Sequence, residues 1–359
     1  MKQTLLVFLL LAIVIITKAQ PPSGYYNTAS GKTGAQLKTA LYNIIKGHTV
    51  ISYDNLYNAY KTTDDKPDGS VWDMYSNCSF SYNVSSDRCG SYNSECDCFN
   101  REHSVPQSWF GSASPMVSEM FHVYPTDGKV NGMRSNYPFG EVTNPSSTSG
   151  NGSKLGPCSA PGYTSTVFEP IDEYKGDFAR TYFYMATRYE NIISTWHSAS
   201  NTAEAVFQAN TFPVFENWVV NMFLKWNTND PVSQKEIDRN NTIYTSFQKN
   251  RNPYIDHPEY ANLVWGLNTG VSDEYSRVTL QVYPNPVSEI CTVTLPADFN
   301  QQNTVFTVYS STGMPVFAPA TVTGGKAVLN LENAPPGFYL VRLANGSNHM
   351  IYQARIIKK

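Results

Sequence analysis

Near residue 270 the spacing of apolar residues changes from every third or fourth position to every second, and that change bounds the fold. A helix buries one stripe of a 3.6-residue period and a strand one face of a two-residue period. A chain with one pattern after the other therefore holds a helical part and a β part, an α+β chain of segregated domains. In AQLKTALYNIIK, residues 35–46, Leu37, Leu41, Ile44 and Ile45 share a stripe, and Gly47 supplies a stop. GDFARTYFYMATRYE aligns Phe178, Tyr182, Met185 and Tyr189, with Asp177 expected to cap. VFENWVVNMFLKW aligns Trp218, Val219, Met222, Phe223 and Trp226, and in DPVSQKEIDRNNTIYTSFQ Asp230 suits an N-cap and Pro231 the first turn. From Val278 to Lys359 short alternating segments are divided by turns. Asn345-Gly346 gives a hairpin signal, and Met350, Tyr352, Ala354 and Ile356 alternate after it. This predicts a small β-sandwich with no catalytic cluster of its own. Residues 52–98 read as loop-rich with short strands such as SVWDMYS, and 143–165 as an exposed loop rich in Ser, Gly, Asn and Pro.

The first residues set the compartment. Lys2 precedes an apolar run from Leu5 to Ile16, then Thr17-Lys18-Ala19. The run is shorter than the roughly 20 residues a membrane span needs, so it predicts a secretory signal cleaved near Ala19–Gln20. No later segment reads as a transmembrane span. The expected layout is a signal peptide at 1–19, a main domain at 20–268, a linker at 269–277 and the β domain at 278–359. Export makes cysteines candidates for disulfides. Cys96-Asp-Cys98 lacks zinc spacing, so disulfides around the 89–98 loop are expected, with one thiol left over among the five cysteines before Cys291. Charged residues are only 15% of the chain and the net charge is -3, which excludes a global pull toward nucleic acid and leaves only a local site.

That scarcity of charge makes CFNREHSVPQSW, residues 98–109, conspicuous, because Arg101, Glu102 and His103 stand side by side. Phosphodiester hydrolysis needs a base for water, a cation for the growing charge on phosphate, and stabilisation of the leaving oxygen. A neutral histidine serves as the base near physiological pH. Magnesium takes hard oxygen ligands and keeps several waters, so Glu102 with an amide oxygen such as that of Asn131, 28 residues beyond His103, meets its needs. The plain readings are a structural histidine, a Glu102 ion pair with Arg101 or Lys129, and a turn at Asn131-Gly132. Neighbouring strand residues face opposite sides, so Glu102 and His103 share a site only if the strand ends or twists there; Pro106 favours an early end.

The chain resembles the endonuclease I family of secreted nucleases with the ββα-metal (His-Me finger) fold. The likeness covers most of residues 35–262 through five ordered blocks: NREHSVPQSWF, FHVYPTDGKVNGMRSNYPFGEV, FEPIDEYKGDFARTYFYMATRY, WNTNDPVSQKEIDRN and QKNRNPYIDHPEY. It implies a mostly helical nuclease domain, His103 as general base, and one Mg²⁺ held by Glu102 and Asn131, with Ca²⁺ or Mn²⁺ able to substitute. The substrate it implies is DNA cut without sequence preference, with RNA as a further candidate. The family supplies an arginine to the cleaved phosphate, yet no Arg or Lys lies between His103 and Lys129. Arg134 is the expected substitute, with Arg101 and Arg180 behind it. His122 reads as a packed residue, Asp127 as a turn former, Glu169, Asp172 and Asp177 as helix-start carboxylates, and Asp256 and His257 as structural.

VYPNPVSE, YSSTGMPV, PPGFYLVRL and RIIKK resemble the sorting domain of the type IX secretion pathway. This implies a secreted or cell-surface monomer, exported through the periplasm with that machinery as its partner. A competing expectation is a non-hydrolytic adhesin or glycan-binding protein, drawn from the aromatic-rich, low-charge surface. A metalloprotease is disfavoured because H-E-x-x-H is absent.

Overall fold

The computed structural model describes residues 21–266, 277–295, 304–310, 315–316, 320–323, 325–345 and 350–359. The expected signal peptide and residues 269–276 of the expected linker lie outside them. The chain divides into two compact units, Met1–Thr269 and Gly270–Lys359. Among the described residues no helix is long and apolar enough to cross a membrane.

In the first unit α1 (Gly34–Ile45) buries Leu37, Leu41 and Ile45, and α2 (Leu56–Thr63) buries Leu56, Ala59 and Tyr60. SVWDMYS makes only isolated bridges, Asp65 with Val71 and Ser70 with Ser81. The Asp73 carboxylate accepts Tyr75 N–H at 2.8 Å and the Ser76 hydroxyl, turning the chain where a strand was expected. Two strands, β1 (Phe99–His103) and β2 (Val123–Asp127), pair antiparallel with Phe99 opposite Asp127 and His103 opposite Val123. Helix α3 (Gly128–Arg134) follows β2 without a loop. Asp127 is its N-cap: Oδ1 accepts Val130 N–H at 2.9 Å while Oδ2 accepts Cys96 N–H at 2.7 Å. Disulfides Cys78–Cys96 and Cys89–Cys98 hold the segment leading into β1, and Cys158 and Cys291 stay free and buried.

The expected loop at 143–165 contains β3 (Ser147–Thr148) and β4 (Lys154–Pro157), which with β5 (Thr166–Glu169) form a three-stranded sheet in the order β3-β4-β5. Helix α4 (Lys175–Arg188) is buried from Gly176 to Arg188 on every side, not along one stripe. Helix α6 (Asn217–Asn229) packs against it, α7 (Gln234–Thr242) reaches it through Glu236, and a short α5 (Asn201–Glu204) precedes both. Helix α7 begins later than Asp230 and Pro231 suggest, at a Ser233/Glu236 capping box. Asp230 instead accepts Gly176 N–H at 2.8 Å, serving the start of α4.

The second unit has a five-stranded sheet ordered β10-β9-β13-β14-β6 and a four-stranded sheet ordered β11-β12-β8-β7. The strands are β6 (Arg277–Thr279), β7 (Val282–Tyr283), β8 (Ile290–Thr294), β9 (Thr304–Ser310), β10 (Pro315–Val316), β11 (Ala320–Thr323), β12 (Lys326–Asn330), β13 (Gly337–Asn345) and β14 (Met350–Lys358). Both sheets feed one buried apolar cluster, which includes Val293 and Leu329 from one and Val341, Ala354 and Ile356 from the other. The hairpin signal at Asn345 matches the antiparallel pairing of β13 with β14, in which Asn345 faces Met350.

The approach of α3 to the disulfide-bonded loop depends on two glycines one turn apart. A Cβ at Gly128 would meet Cys89 Sγ at 2.6 Å, and one at Gly132 would collide with the Tyr92 ring. Gly132→Ala is expected to destabilise the protein by about 1–3 kcal/mol, as overpacking does. The measurement is a chemical unfolding midpoint; an unchanged midpoint would mean that the loop does not press on α3.

Candidate active site

Among the described residues strand β1 is one member of a two-stranded sheet, and its other edge carries only an isolated bridge from Arg88 to Phe99. Its side chains alternate as the two-residue period requires. Asn100 and Glu102 reach α3, where Asn131 Nδ2 donates to Asn100 Oδ1 at 2.7 Å and Arg134 Nη1 lies 3.1 Å from Glu102 Oε1. Arg101 and His103 turn toward the 53–57 segment, with the Arg101 guanidinium 3.5 Å from the Tyr53 ring centre and the His103 ring stacked on Tyr53 at 5.7 Å. All four residues nevertheless line one cleft of 380 Å³, together with Tyr53, Tyr57, Asn131 and Arg134. The strand ends at His103, three residues before Pro106, and residues from both of its faces line the cleft.

His103 is 5% exposed, and its Nε2 is 3.0 Å from the Val117 carbonyl oxygen. A carbonyl only accepts, so Nε2 carries the proton and Nδ1 is left as the lone-pair nitrogen. Burial pushes its pKa from 6.5 down to about 4, the cations Arg101 and Arg134 push the same way, and the Val117 bond opposes them. The result is a neutral imidazole of defined tautomer. His122 packs edge-on to it at 5.5 Å, fully buried, with Nε2 2.7 Å from Met116 O and Nδ1 without a partner.

The Glu102 carboxylate is 2% exposed. Burial raises its pKa, while Arg134 and the Tyr75 hydroxyl lower it. Tyr75 OH donates to Oε1 at 2.8 Å, so both stabilising contacts fall on the same oxygen and Oε2 takes part in neither. Asn131 gives its Nδ2 to Asn100, and its Oδ1 takes no part in that bond. Glu102 and Asn131 both line the cleft and offer it hard oxygen donors. Among the described residues no cluster of three or more His, Cys, Asp and Glu has a metal-holding arrangement. A pair of oxygens suits a cation that keeps most of its own water, so the residues present fit Mg²⁺ better than zinc.

The expected phosphate arginines are sorted differently by their surroundings. Arg134 is 1% exposed, with Nη1 donating to His103 O at 2.9 Å as well as facing Glu102, and Nη2 donating to Ser104 O. Its two Nη groups are committed within the protein, while Nε is buried without a partner and the residue still lines the cleft. Arg180 is fully buried away from the cleft: it grips Glu236 by Nε at 2.6 Å and by Nη2 at 2.8 Å, and donates to Asp230 O at 2.8 Å. A guanidinium in the middle of an all-buried helix needs those partners, and it is not among the residues that line the cleft. Arg101 keeps a partly open face in the cleft, braced by Tyr53 O at 2.9 Å and a loose 3.5 Å contact to the exposed Asp54. Asp256 pairs with Arg251 at 2.7 Å and is structural, as expected.

Tyr75, Asn100, Tyr53 and the Val117 carbonyl were missed by sequence reasoning. Only Asn100 carried a signal, since it lies two residues before Glu102 on the same strand face.

The Endonuclease I family profile matches residues 33–259, and the profile of the Secretion system C-terminal sorting domain matches residues 281–359. The Extracellular ribonuclease of Bacillus amyloliquefaciens is 36% identical over 261 residues, covering 70% of this chain and 81% of that protein. The Extracellular ribonuclease of Bacillus subtilis (strain 168) is 36% identical over 251 residues, covering 67% and 78%. The Endonuclease-1 of Buchnera aphidicola subsp. Acyrthosiphon pisum is 27% identical over 139 residues, covering 38% of this chain and 44% of that protein.

In the metal-free protein the His103 ring is expected to stay neutral until the pH approaches about 4. Unfolding returns it to the ordinary value near 6.5, so the unfolded chain binds the proton first and stability falls as pH drops from about 6.5 toward 4. Ring nitrogen shifts by NMR give the titration and the tautomer. A midpoint at or above 6.5, or a proton on Nδ1, would overturn the assignment.

Proposed function

Because the chain belongs to the endonuclease I family, we propose that its first unit is a metal-dependent, sequence-indifferent endonuclease whose base is His103 Nδ1. The chain is a nuclease carrying a C-terminal domain that marks it for export. Nucleases of this family generally depend on a divalent metal. With the family established, the adhesin expectation falls away. In our reading β1, β2 and α3 form the ββα-metal finger, the mature nuclease domain spans 20–268, and the 278–359 domain delivers a monomer to the type IX machinery.

The observation that carries the reading is the state of His103: neutral, with Nε2 held by the Val117 carbonyl and Nδ1 the lone-pair nitrogen, in the cleft that also holds Glu102 and Asn131. Nδ1 takes a proton from water as that water attacks phosphorus in line with the departing 3′ oxygen. Glu102 and Asn131 would hold one Mg²⁺, which would supply neutralising charge for the phosphate and the leaving oxygen. Arg101 contributes the cleft's remaining positive charge to the phosphate, its guanidinium kept in place by Tyr53 and Tyr57. Nothing in this scheme uses the sugar 2′ hydroxyl, because the nucleophile is external water. DNA and RNA are both substrates, in keeping with the ribonuclease and endonuclease names of the relatives.

His103→Ala is expected to lower kcat by about 10²–10⁴-fold, the typical contribution of a positioned base, with the fold intact by circular dichroism. Full activity in the variant would sink the assignment. A chelator should stop cleavage of both plasmid and RNA, and Mg²⁺ should restore it. Arg101→Ala should raise KM more than it lowers kcat and flatten the salt dependence; a variant with wild-type KM would remove Arg101 from the phosphate.

A further inference from the structure

We infer that Arg134 is a positioning residue: with Tyr75 it sets the Glu102 carboxylate and holds the strand end that brings Glu102 and His103 to one cleft. This rests on the reading of Glu102 as a metal ligand. A long cationic side chain three residues past a ligand invites assignment to phosphate, and four contacts argue otherwise. Nη1 is shared between Glu102 Oε1 at 3.1 Å and His103 O at 2.9 Å. Nη2 is given to Ser104 O, which also accepts from Tyr182 OH at 2.8 Å. The Phe139 ring lies 4.8 Å from the guanidinium centre. The side chain is 1% exposed, so its charge is met inside the protein before any phosphate arrives.

The geometry gives this arginine a different job. Three consecutive residues, Glu102, His103 and Ser104, are bound by one planar fork: a carboxylate from the first and carbonyls from the other two. Such a clamp stops the chain from continuing as strand past His103 and sets the angle at which the base leaves β1. On the carboxylate, Arg134 and Tyr75 both take Oε1, which leaves Oε2 as the oxygen for a cation. Partners of this kind, bonded to a ligand rather than to the metal, usually change metal affinity by about 10–100-fold when removed. Tyr75 lies 27 residues before Glu102 and is buried completely, so its hydroxyl reaches no substrate.

The test uses the purified full chain and Mn²⁺ alone as the probe, read by electron paramagnetic resonance, with wild type, Glu102→Gln, Tyr75→Phe and Arg134→Gln compared. Wild type should bind one ion in the cleft and Glu102→Gln should not. Tyr75→Phe and Arg134→Gln should each weaken binding by about 10-fold or more, while KM for an oligonucleotide at saturating metal stays at the wild-type value. Tyr75→Phe removes a single oxygen and decides the matter if Arg134→Gln, which strands a buried carboxylate, does not fold. Unchanged Mn²⁺ affinity in Tyr75→Phe would overturn the inference and leave the metal reading standing. So would an Arg134→Gln protein with normal Mn²⁺ affinity and a raised KM, which would return this arginine to the phosphate. Failure of the wild type to bind, or normal binding by Glu102→Gln, would bring down the metal reading and this inference with it.

Discussion

A buried carboxylate on the α3-facing side of a short strand is the constraint to which the rest of the nuclease unit answers. Withdrawing Glu102 from water costs several kcal/mol unless a cation and a hydrogen-bond donor meet it. Arg134 supplies the cation and Tyr75 the donor. For Arg134 to arrive, α3 must start where β2 ends and lie against β1, which the Asp127 cap allows by starting the helix without a connecting loop. For Tyr75 to arrive, the preceding segment must fold back under the hairpin, and two disulfides hold it there. The same helix then presents Asn131 one turn before Arg134, on the face that meets β1. The ion pair thus holds α3, with Asn131 on it, against the strand that carries Glu102.

Legibility in the sequence followed the range of the interactions. Glu102 and His103 were readable as neighbours in a charge-poor stretch, and Asn131 through ordered blocks of family likeness. The helices α1, α4 and α6 were readable because an apolar stripe is a local signal. Arg134 was visible as a residue but not as a partner, since its carboxylate and carbonyl contacts depend on how α3 is laid across β1. SVWDMYS has the composition of a strand, yet the Asp73 carboxylate outcompetes sheet hydrogen bonds for the local donors. Asp230 has the features of an N-cap for α7 and is drawn instead to Gly176 of α4, far away in sequence. Arg180 could not be placed from its helix alone, because a stripe of Phe178, Tyr182 and Met185 gives no hint that every other face of α4 is also covered.

The unit spends its few charges in a consistent way. Arg134, Arg180 and Arg239 are each enclosed with a carboxylate, Glu102, Glu236 and Asp64 respectively. Their guanidinium groups act as internal fasteners, bonding backbone carbonyls with the donors that the carboxylates leave over. This is why a basic residue count says so little about nucleic-acid affinity here. What remains at the cleft is a small electrostatic site, with Arg101 as its partly exposed cation.

The partner of His103 is a main-chain carbonyl rather than a side chain. The tautomer of this imidazole is consequently written into the path of the 104–122 connection, not into the identity of residue 117. Substitutions at Val117 can alter packing without changing which nitrogen bears the proton, whereas an insertion or deletion in that connection would change it even with every side chain of the site retained. A lineage of such chains can therefore keep this tautomer while its loop sequence drifts, and lose it through a single change of loop length.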